Sequence, residues 1–331
     1  MGASWLHLPG RRSLSPMRVL VAGGGGFIGS HLTDYLLTRG DEVVVIDDFS
    51  TGRRLNLAHL TADGRVTVVE HDVTDRLPDL GSFDAVANLA SPASPDDFAR
   101  IPLAILEVGS TGTRRLLDLA SRSDARFLQA STSEVYGDPE VHPQSEDYVG
   151  HVDPIGPRSC YDEAKRFGEA LVMAHHRIYD TDVGIARIFN TYGERMAPAD
   201  GRVVNTFVSQ ALRGEPLSVH GDGSQTRSFC HVSDQVAGLT ALLDHTATGP
   251  VNIGNPFEFT VLALAELVIE MTGSTSRIES VTLPVERTGD PAQRCPDISR
   301  ARTLLGWEPT VTLREGLAGM IDHFRSVESI A

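Results

Sequence analysis

The feature that most constrains the fold is a glycine-rich stretch between an apolar strand pattern and a helix pattern. It reads GGGGFIG, from Gly23 to Gly29, and follows RVLVAG. Glycines at 23, 26 and 29 allow a tight turn, a close approach of the backbone to a ligand, and packing of the helix on the strand. The N-terminus of the next helix offers unpaired N–H groups to phosphate. This arrangement predicts a dinucleotide-binding unit, although a glycine turn without a ligand would show the same letters.

Strand and helix patterns alternate along the first 190 residues. Further strand patterns are EVVVIDD, RVTVVEHD, DAVANLA, RFLQAST and VGIARIFN, with helical stretches such as 103–121 and 161–178 between them. Continuous apolar strands alternating with helices indicate a parallel sheet covered on both faces. The alternation weakens after about residue 190. We therefore expect an α/β fold, with a Rossmann-type doubly wound parallel sheet at 17–190 carrying the catalytic residues, and a smaller, mainly substrate-binding C-terminal lobe at 191–331.

Composition excludes several classes of function. The net charge of -15 over 331 residues argues against a nucleic-acid surface, because phosphate binding needs clustered Lys and Arg. No run approaches the roughly 18 apolar residues of a membrane span. The three cysteines show no metal-site spacing, which favours reduced thiols in a cytoplasmic protein and predicts no metal. Residues 1–16 lack a signal-peptide pattern, so we expect a disordered tail or an over-long start with Met17 as the true beginning.

Two further motifs carry chemistry. Asp47 ends the second strand pattern about twenty residues after the glycines, where a carboxylate accepts hydrogen bonds from ribose hydroxyls and repels a 2′-phosphate, which favours NAD over NADP. Tyr161 and Lys165, in CYDEAKR, are four residues apart and share one helix face. A tyrosine is a poor base at neutral pH, and we expect the lysine cation and a bound nicotinamide to lower its pKa.

These motifs resemble the extended short-chain dehydrogenase/reductases that act on nucleotide sugars, and within them the UDP-glucuronate decarboxylases, or UDP-xylose synthases. The similarity runs from about residue 18 to 324. It is carried by STSEVYGDPEVHPQSEDYVGHVDPIGPRSCYDEAKR, ARIFNTYGERM, DGRVVNTFVSQALRGEPLSVHGDGSQTRSF and RCPDISRARTLLGWEP. Such long strings are far more specific than the glycine motif.

The resemblance implies a role for each matching residue. The implied catalytic residues are Thr132, Ser133, Glu134, Tyr161, Lys165 and Arg294. The implied NAD-binding residues are Gly23, Gly26, Phe27, Ile28, Gly29, Asp47, Asp48, Phe49, Ser50, Thr51, Gly52, Asp72, Val73, Leu89, Ala90, Ser91, Tyr161 and Lys165. The expected substrate-binding residues are Arg158, Asn190, Arg202, Gln225, Arg227 and Arg287. Of these, Asn190, Arg202 and Arg227 match the decarboxylases, whereas Arg287, in RTGD, resembles wider nucleotide-sugar enzymes.

The implied reaction is NAD-dependent decarboxylation of UDP-glucuronate to UDP-xylose through a 4-keto sugar. It is redox-neutral, so NAD stays tightly bound and is recycled. The resemblance also implies a homodimer through the helix at 103–121 and the helix carrying Tyr161. The nucleotide-sugar substrate would be the partner, with arginine forks suited to its pyrophosphate and carboxylate.

Other readings stay open at this point. The related 4,6-dehydratases place an acidic Asp where Ser133 stands, and the 4-epimerases have small or polar residues where Glu134 stands. Glu134 could also be a structural hydrogen-bond acceptor, Asp72 a turn residue, and the whole chain a non-catalytic dinucleotide sensor. The chain departs from the decarboxylase pattern at Asn88, Phe98, Glu107, Gly109 and Cys295, where the family usually has His, Tyr, Lys, Asn and Lys. These departures bear on the identity of the sugar more than on the redox chemistry.

Overall fold

The computed structural model describes residues 15–62, 64–197, 200–282, 291 and 293–328. The described strands are β1 Arg18–Ala22, β2 Glu42–Asp47, β3 Val66–Glu70, β4 Ala85–Asn88, β5 Arg126–Thr132, β6 Val183–Ile188, β7 Thr191–Tyr192, β8 Leu217–His220, β9 Thr226–Ser228, β10 Cys230–His231, β11 Pro250–Ile253, β12 Glu258–Thr260, β13 Ile278–Val281 and β14 Gln293–Arg294. The described α-helices are α1 Phe27–Arg39, α2 Ala58–Ala62, α3 Pro95–Arg100, α4 Pro102–Glu107, α5 Thr113–Arg122, α6 Ser159–Tyr179, α7 Val203–Arg213, α8 Val232–Leu243, α9 Val261–Thr272, α10 Ser299–Leu305 and α11 Leu313–Glu328.

Seven strands form one parallel sheet in the order β11-β6-β5-β4-β1-β2-β3. Successive side chains of a strand point to opposite faces, and here both faces are buried. Val19 and Val21 pack with Leu36 of α1 on one face, whereas Leu20 packs with Leu116 of α5 on the other. The predicted doubly wound parallel sheet is confirmed.

The chain beyond residue 190 contributes to two separate cores. Helices α7, α9 and α11 pack around β8 in a second apolar cluster that includes Phe207, Leu264 and Phe324. In contrast, β11 pairs with β6 at the edge of the large sheet, and Trp307 belongs to that sheet's core. The division at residue 190 therefore stays a prediction, since the later chain is shared between the sheet and the second lobe. Of the predicted tail at 1–16, residues 1–14 lie outside the described residues.

A helix interrupted by one π-helical turn packs against α6. It runs through α4, the π-helical turn Val108–Gly112 and α5. A Cβ atom on Gly109 would lie 2.7 Å from the Cβ atom of Ala164, so only glycine allows this approach. The departure at Gly109 thus lets the two helices touch beside the residues predicted to be catalytic. In the described ranges, no helix is both long and apolar enough to cross a bilayer.

Candidate active site

A cavity of about 1030 Å³ opens at the carboxyl ends of the central strands and is lined by both lobes. Open α/β sheets bind ligands at this edge. Most of the predicted site residues line this cavity, although their roles stay predictions. The predicted residues on its wall are Gly23, Gly26, Phe27, Ile28, Gly29, Thr51, Leu89, Ser91, Thr132, Ser133, Glu134, Arg158, Tyr161, Lys165, Asn190, Arg202, Gln225, Arg227 and Arg294.

The glycine loop forms a cradle that side chains would fill. A Cβ atom on Gly29 would lie 2.1 Å from the carbonyl oxygen of Gly23, and one on Gly23 would lie 2.8 Å from the carbonyl oxygen of Leu89. Gly23 has a φ of 79°, in the left-handed region that favours glycine. Helix α1 begins after Gly26 without a side-chain cap, so its first N–H groups remain available to a ligand. The loop therefore fits a pyrophosphate against the helix N-terminus.

Asp47 braces the loops around this cradle and does not line the cavity. Its Oδ2 accepts a hydrogen bond from the Gly25 N–H at 2.8 Å, and its Oδ1 accepts one from the Phe49 N–H at 2.8 Å. Burial raises the pKa of this carboxyl, against the effect of the two backbone donors. A Cβ on Gly52 would come within 2.8 Å of Asp47 Oδ1, so the loop closes over the carboxylate. The predicted contact with a ribose stays a prediction.

The other predicted NAD residues off the cavity wall have local structural contacts. Asp48 accepts hydrogen bonds from the N–H and hydroxyl of Ser50, and Asp72 accepts from the N–H and hydroxyl of Thr74. Val73 is buried in the core between the sheet and α5. Phe49, Gly52 and Ala90 likewise do not line the cavity.

Tyr161, Lys165 and Thr132 come together where β5 meets α6. The Thr132 hydroxyl lies near the Tyr161 hydroxyl and acts to lower its pKa, and the Lys165 ammonium donates to the Ala130 carbonyl oxygen at 3.0 Å. The Phe98 ring stacks on Tyr161 with ring centroids 4.9 Å apart.

Burial dominates the ionisation of this group in the protein alone. It raises the pKa of Tyr161 to about 12 and lowers the pKa of Lys165 to about 8. The expected lowering of the Tyr161 pKa by Lys165 is therefore outweighed, because desolvation disfavours both charged forms. Thr132 and Arg202 also act to lower the pKa of Tyr161, and burial outweighs them.

Glu134 lies in a turn of 3-10 helix, Ser133–Tyr136, that directly follows β5. Its Oε2 accepts hydrogen bonds from Arg158 at 2.7 Å and from Arg294 at 3.2 Å. Arg294 also donates to the Ser133 carbonyl oxygen and is only 1% exposed. Burial raises the pKa of Glu134, but Arg294, Arg158 and Arg227 outweigh it and lower that pKa to about 2. Glu134 is thus a fixed negative charge held between arginines.

Asp162 is a residue that the sequence reasoning missed. Its side chain is 8% exposed, and its Oδ2 lies 4.0 Å from Arg158 Nε. Burial first, and the charge of Glu134 second, raise the pKa of Asp162 to about 7. Two neighbouring carboxyl groups therefore differ strongly, because the pKa of Glu134 is lowered and that of Asp162 is raised. The available signal was its position beside Tyr161 in CYDEAKR.

The predicted substrate arginines come from three segments. Arg202 donates to the Ala93 carbonyl oxygen at 2.7 Å, and Arg227 on β9 pairs in register with Arg294 on β14. Gln225 donates to the His220 carbonyl oxygen at 3.0 Å. Arg287 lies outside the described residues. Sequence reasoning also missed several polar residues on the cavity wall, namely Arg53, Asn56, Asp96, Arg100, Arg195, Asp200, Ser218 and His220.

The departures from the decarboxylase pattern have different consequences. Phe98 lies on the cavity wall and keeps a ring against Tyr161. Glu107 is exposed at the end of α4 and does not line the cavity, so its reversed charge lies outside the site. Asn88 is buried, where its side chain contacts Thr113 and Gln129. None of these contacts places a new charge in the cavity.

Comparisons with known proteins give the family. Residues 20–320 match the family model described as GDP-mannose 4,6 dehydratase. The chain is 52% identical over 310 residues to UDP-glucuronic acid decarboxylase 1 of Arabidopsis thaliana, covering 94% of this chain and 70% of that protein. It is 50% identical to UDP-glucuronic acid decarboxylase 1 of Danio rerio, covering 93% and 72%. The chain belongs to the UDP-glucuronic acid decarboxylase family of extended short-chain dehydrogenase/reductases.

Solved structures place this decarboxylase family member in a wider fold group. The dTDP-glucose 4,6-dehydratase of Streptomyces venezuelae, with NAD bound, has a TM-score of 0.86 at 29% identity and covers 95% of this chain and 98% of that one. The UDP-glucuronic acid 4-epimerase of Bacillus cereus, with UDP-glucuronic acid and NAD, has a TM-score of 0.84 at 29% identity and covers 94% and 100%. Dehydratases and epimerases thus share the fold, so the fold alone does not distinguish their reactions.

Proposed function

We propose that the protein decarboxylates UDP-glucuronate to UDP-xylose through a 4-keto sugar, with no net change in the cofactor. The observation that carries this proposal is Glu134, held as an ionised group between Arg158 and Arg294, beside the Tyr161, Thr132 and Lys165 cluster. About 50% identity to several UDP-glucuronic acid decarboxylases supports the same reaction.

The glycine loop is suited to NAD. The cradle has no room for side chains at Gly23 and Gly29, and the start of α1 offers N–H groups to a pyrophosphate. Lys165, at the opposite side of the cavity, is suited to hold the nicotinamide ribose. Bound NAD supplies the reversible oxidation at C4 of the sugar. Because the reaction restores it in each turnover, we expect NAD to remain tightly bound.

Tyr161 and Thr132 handle the proton of the sugar 4-hydroxyl. The two hydroxyl groups lie near each other, so both can face one reacting oxygen. Tyr161 accepts the proton as the ketone forms and returns it when the 4-hydroxyl is restored. Since burial raises the pKa of Tyr161 to about 12, the positive charge of Lys165 and of the bound cofactor must favour the phenolate. Phe98 holds the ring in place by stacking.

Glu134 controls the sugar carboxylate. Once C4 is a ketone, the carboxylate at C5 is β to it and can leave as CO₂. Arg158 and Arg294 are already paired with Glu134, so they hold the substrate carboxylate less firmly than free arginines would. With a pKa of about 2, Glu134 carries no proton at neutral pH, so the proton added at C5 comes from solvent. Glu134 can orient the water that delivers it.

The alternatives are a UDP-glucuronate 4-epimerase, an NDP-glucose 4,6-dehydratase and, more remotely, a non-catalytic dinucleotide sensor. Ser133 stands where the dehydratases carry an acid, so the residue that would protonate a leaving 6-hydroxyl is missing. The experiment is to incubate the purified protein separately with UDP-glucuronate, UDP-glucose and dTDP-glucose without added reductant. The mass of each product is then measured by mass spectrometry. A product of UDP-glucuronate lighter by CO₂ supports decarboxylation, an isomer of equal mass supports epimerisation, and loss of water from a neutral sugar supports dehydration. A sensor would bind without turnover. A homodimer and a cytoplasmic location stay predictions.

A further inference from the structure

A second group of chemically active side chains lies away from the cavity. His142, Glu258 and Cys295 each offer one ligand-type atom, and these three atoms all lie within 4.8 Å of one another. The His142 Nε2 atom is 2.9 Å from Glu258 Oε2. None of the three residues lines the candidate active site. One nitrogen, one carboxylate oxygen and one sulfur form a donor set typical of zinc.

We propose that His142, Glu258 and Cys295 bind a zinc-type divalent metal ion at an open, three-ligand site outside the wall of the catalytic cavity. Zinc bonds of about 2.0–2.3 Å in a tetrahedron place ligand atoms roughly 3.3–3.8 Å apart. To reach this geometry the widest separation in the group must shorten by about 1 Å, and the 2.9 Å hydrogen bond between His142 Nε2 and Glu258 Oε2 must open by about 0.4 Å. Three protein ligands leave a fourth position for water.

The surrounding contacts hold the three ligands in place. The Thr226 hydroxyl donates to Glu258 Oε1 at 2.6 Å, which leaves Oε2 facing His142. The side-chain Oε1 of Gln144 accepts a hydrogen bond from the Cys295 N–H at 2.9 Å, and the backbone N–H of Gln144 donates to the Cys295 carbonyl oxygen at 2.9 Å. Outer hydrogen bonds of this kind orient metal ligands and tune their affinity. Glu258 and Cys295 therefore lie on or next to paired strands, whereas His142 lies in a loop. The Cys295 thiol donates to the Pro256 carbonyl oxygen at 3.3 Å, a hydrogen bond that the metal would replace.

The site joins three parts of the chain outside the cavity wall. His142 lies in the segment after β5, Glu258 begins β12, and Cys295 directly follows β14. Strands β12, β9 and β14 form one small sheet, which also carries Arg227 and Arg294. A metal ion bound to Cys295 would hold the end of β14, and Arg294, the residue before Cys295, contacts Glu134. The ion thus supports the position of Arg294 without entering the reaction.

No sequence motif indicates this site. The ligands are 116 and 37 residues apart along the chain, a spacing unlike the short repeats of sequence-readable zinc sites. Cys295 is also one of the positions where the chain departs from the decarboxylase pattern, which has Lys there. We therefore expect the site in this chain and not in relatives that carry the lysine.

Cobalt titration of the tag-free, chelator-treated full chain tests the site directly, because Co²⁺ takes the place of zinc and reports a bound thiolate by a sulfur-to-cobalt charge-transfer band. We expect one Co²⁺ per chain with this band, and its displacement by one Zn²⁺. Cys295→Ser should abolish the band and weaken Zn²⁺ binding by at least about a hundredfold, more than the loss of an outer partner. Cys230→Ser, which alters another buried thiol, should leave both unchanged.

A second measurement separates loss of the site from loss of the fold. Zn²⁺ should raise the melting temperature of the unaltered protein and of Cys230→Ser, but not that of Cys295→Ser or of His142→Ala, whose side chain is one-third exposed. Absence of the charge-transfer band in the unaltered protein, or equal Zn²⁺ affinity in Cys295→Ser, would overturn the proposal. The assay contains no nucleotide sugar, so its outcome is independent of the proposed reaction.

Discussion

Replacing Glu134 by Gln removes one negative charge and almost no volume. The amide oxygen can still accept from Arg158, but the guanidinium groups of Arg158 and Arg294 lose their common counter-ion. Both arginines are then available to the carboxylate of a bound substrate. We expect tighter binding of UDP-glucuronate and slower loss of CO₂, because the ground state is stabilised more than the transition state.

The structure gives the size of these effects. A Glu134 pKa lowered from 4.5 to about 2 corresponds to about 3 kcal/mol in favour of the carboxylate. Part of this is kept by the amide oxygen, so the free energy of unfolding should fall by about 1–3 kcal/mol. One new charge-assisted hydrogen bond to the substrate is worth about 1.5–3 kcal/mol, or roughly tenfold to a hundredfold tighter binding. Removing a residue that assists proton transfer slows turnover by about a hundredfold or more.

Rapid-mixing absorbance of NADH, together with calorimetric binding of UDP-glucuronate, measures both effects. In the variant, NADH or a 4-keto sugar should accumulate, since the later steps slow more than the first oxidation. Glu169→Gln is the matched control, because Glu169 pairs with Arg187 at 2.8 Å with similar exposure but does not line the cavity. That control should lose stability and keep its kcat. Wild-type kcat in Glu134→Gln, or weaker substrate binding with no accumulated intermediate, would refute this reasoning.

Three further substitutions test the remaining site residues. Tyr161→Phe should keep NAD but reduce kcat by about a hundredfold or more, and near-normal turnover would contradict its role as the base. Lys165→Met should inactivate the enzyme yet raise its free energy of unfolding at pH 7 by about 1–2 kcal/mol. Between about pH 8 and 10.5 the unfolded chain keeps the Lys165 proton that the folded chain has released, so the stability of the wild type should rise with pH across this window. Urea unfolding at several pH values should therefore show a flatter stability profile for the variant. Asp162→Asn should gain stability relative to wild type as pH rises from 3.8 to about 7, because the folded Asp162 keeps a proton that the unfolded chain loses, and parallel unfolding profiles at pH 5 and 8 would argue against the raised pKa.

Local patterns were enough to predict the sheet and the cofactor cradle. The strand runs were continuous and apolar, and the glycine spacing encodes a backbone geometry that few other residues can adopt. The Tyr161 and Lys165 pair was equally readable, since four residues make one helical turn. These features depend on neighbours in the chain.

Long-range contacts set what the sequence did not reveal. Glu134 pairs with Arg294 across 160 residues, and β11 returns to the large sheet after the second lobe has begun. The direction of the Tyr161 pKa depends on burial, which no motif encodes. Asp47 turned toward the loop backbone because two N–H groups lie within reach of its carboxylate.

The most direct test of the proposed reaction is conversion of UDP-glucuronate in heavy water without added reductant. Decarboxylation through a 4-keto sugar leaves an enolate that must take a solvent proton, so UDP-xylose should carry one deuterium at C5. C4 should carry none, because its hydrogen leaves and returns within the protein. Mass spectrometry and NMR of the product measure both positions. UDP-galacturonate with its carboxylate retained, or deuterium at C4, would contradict the account.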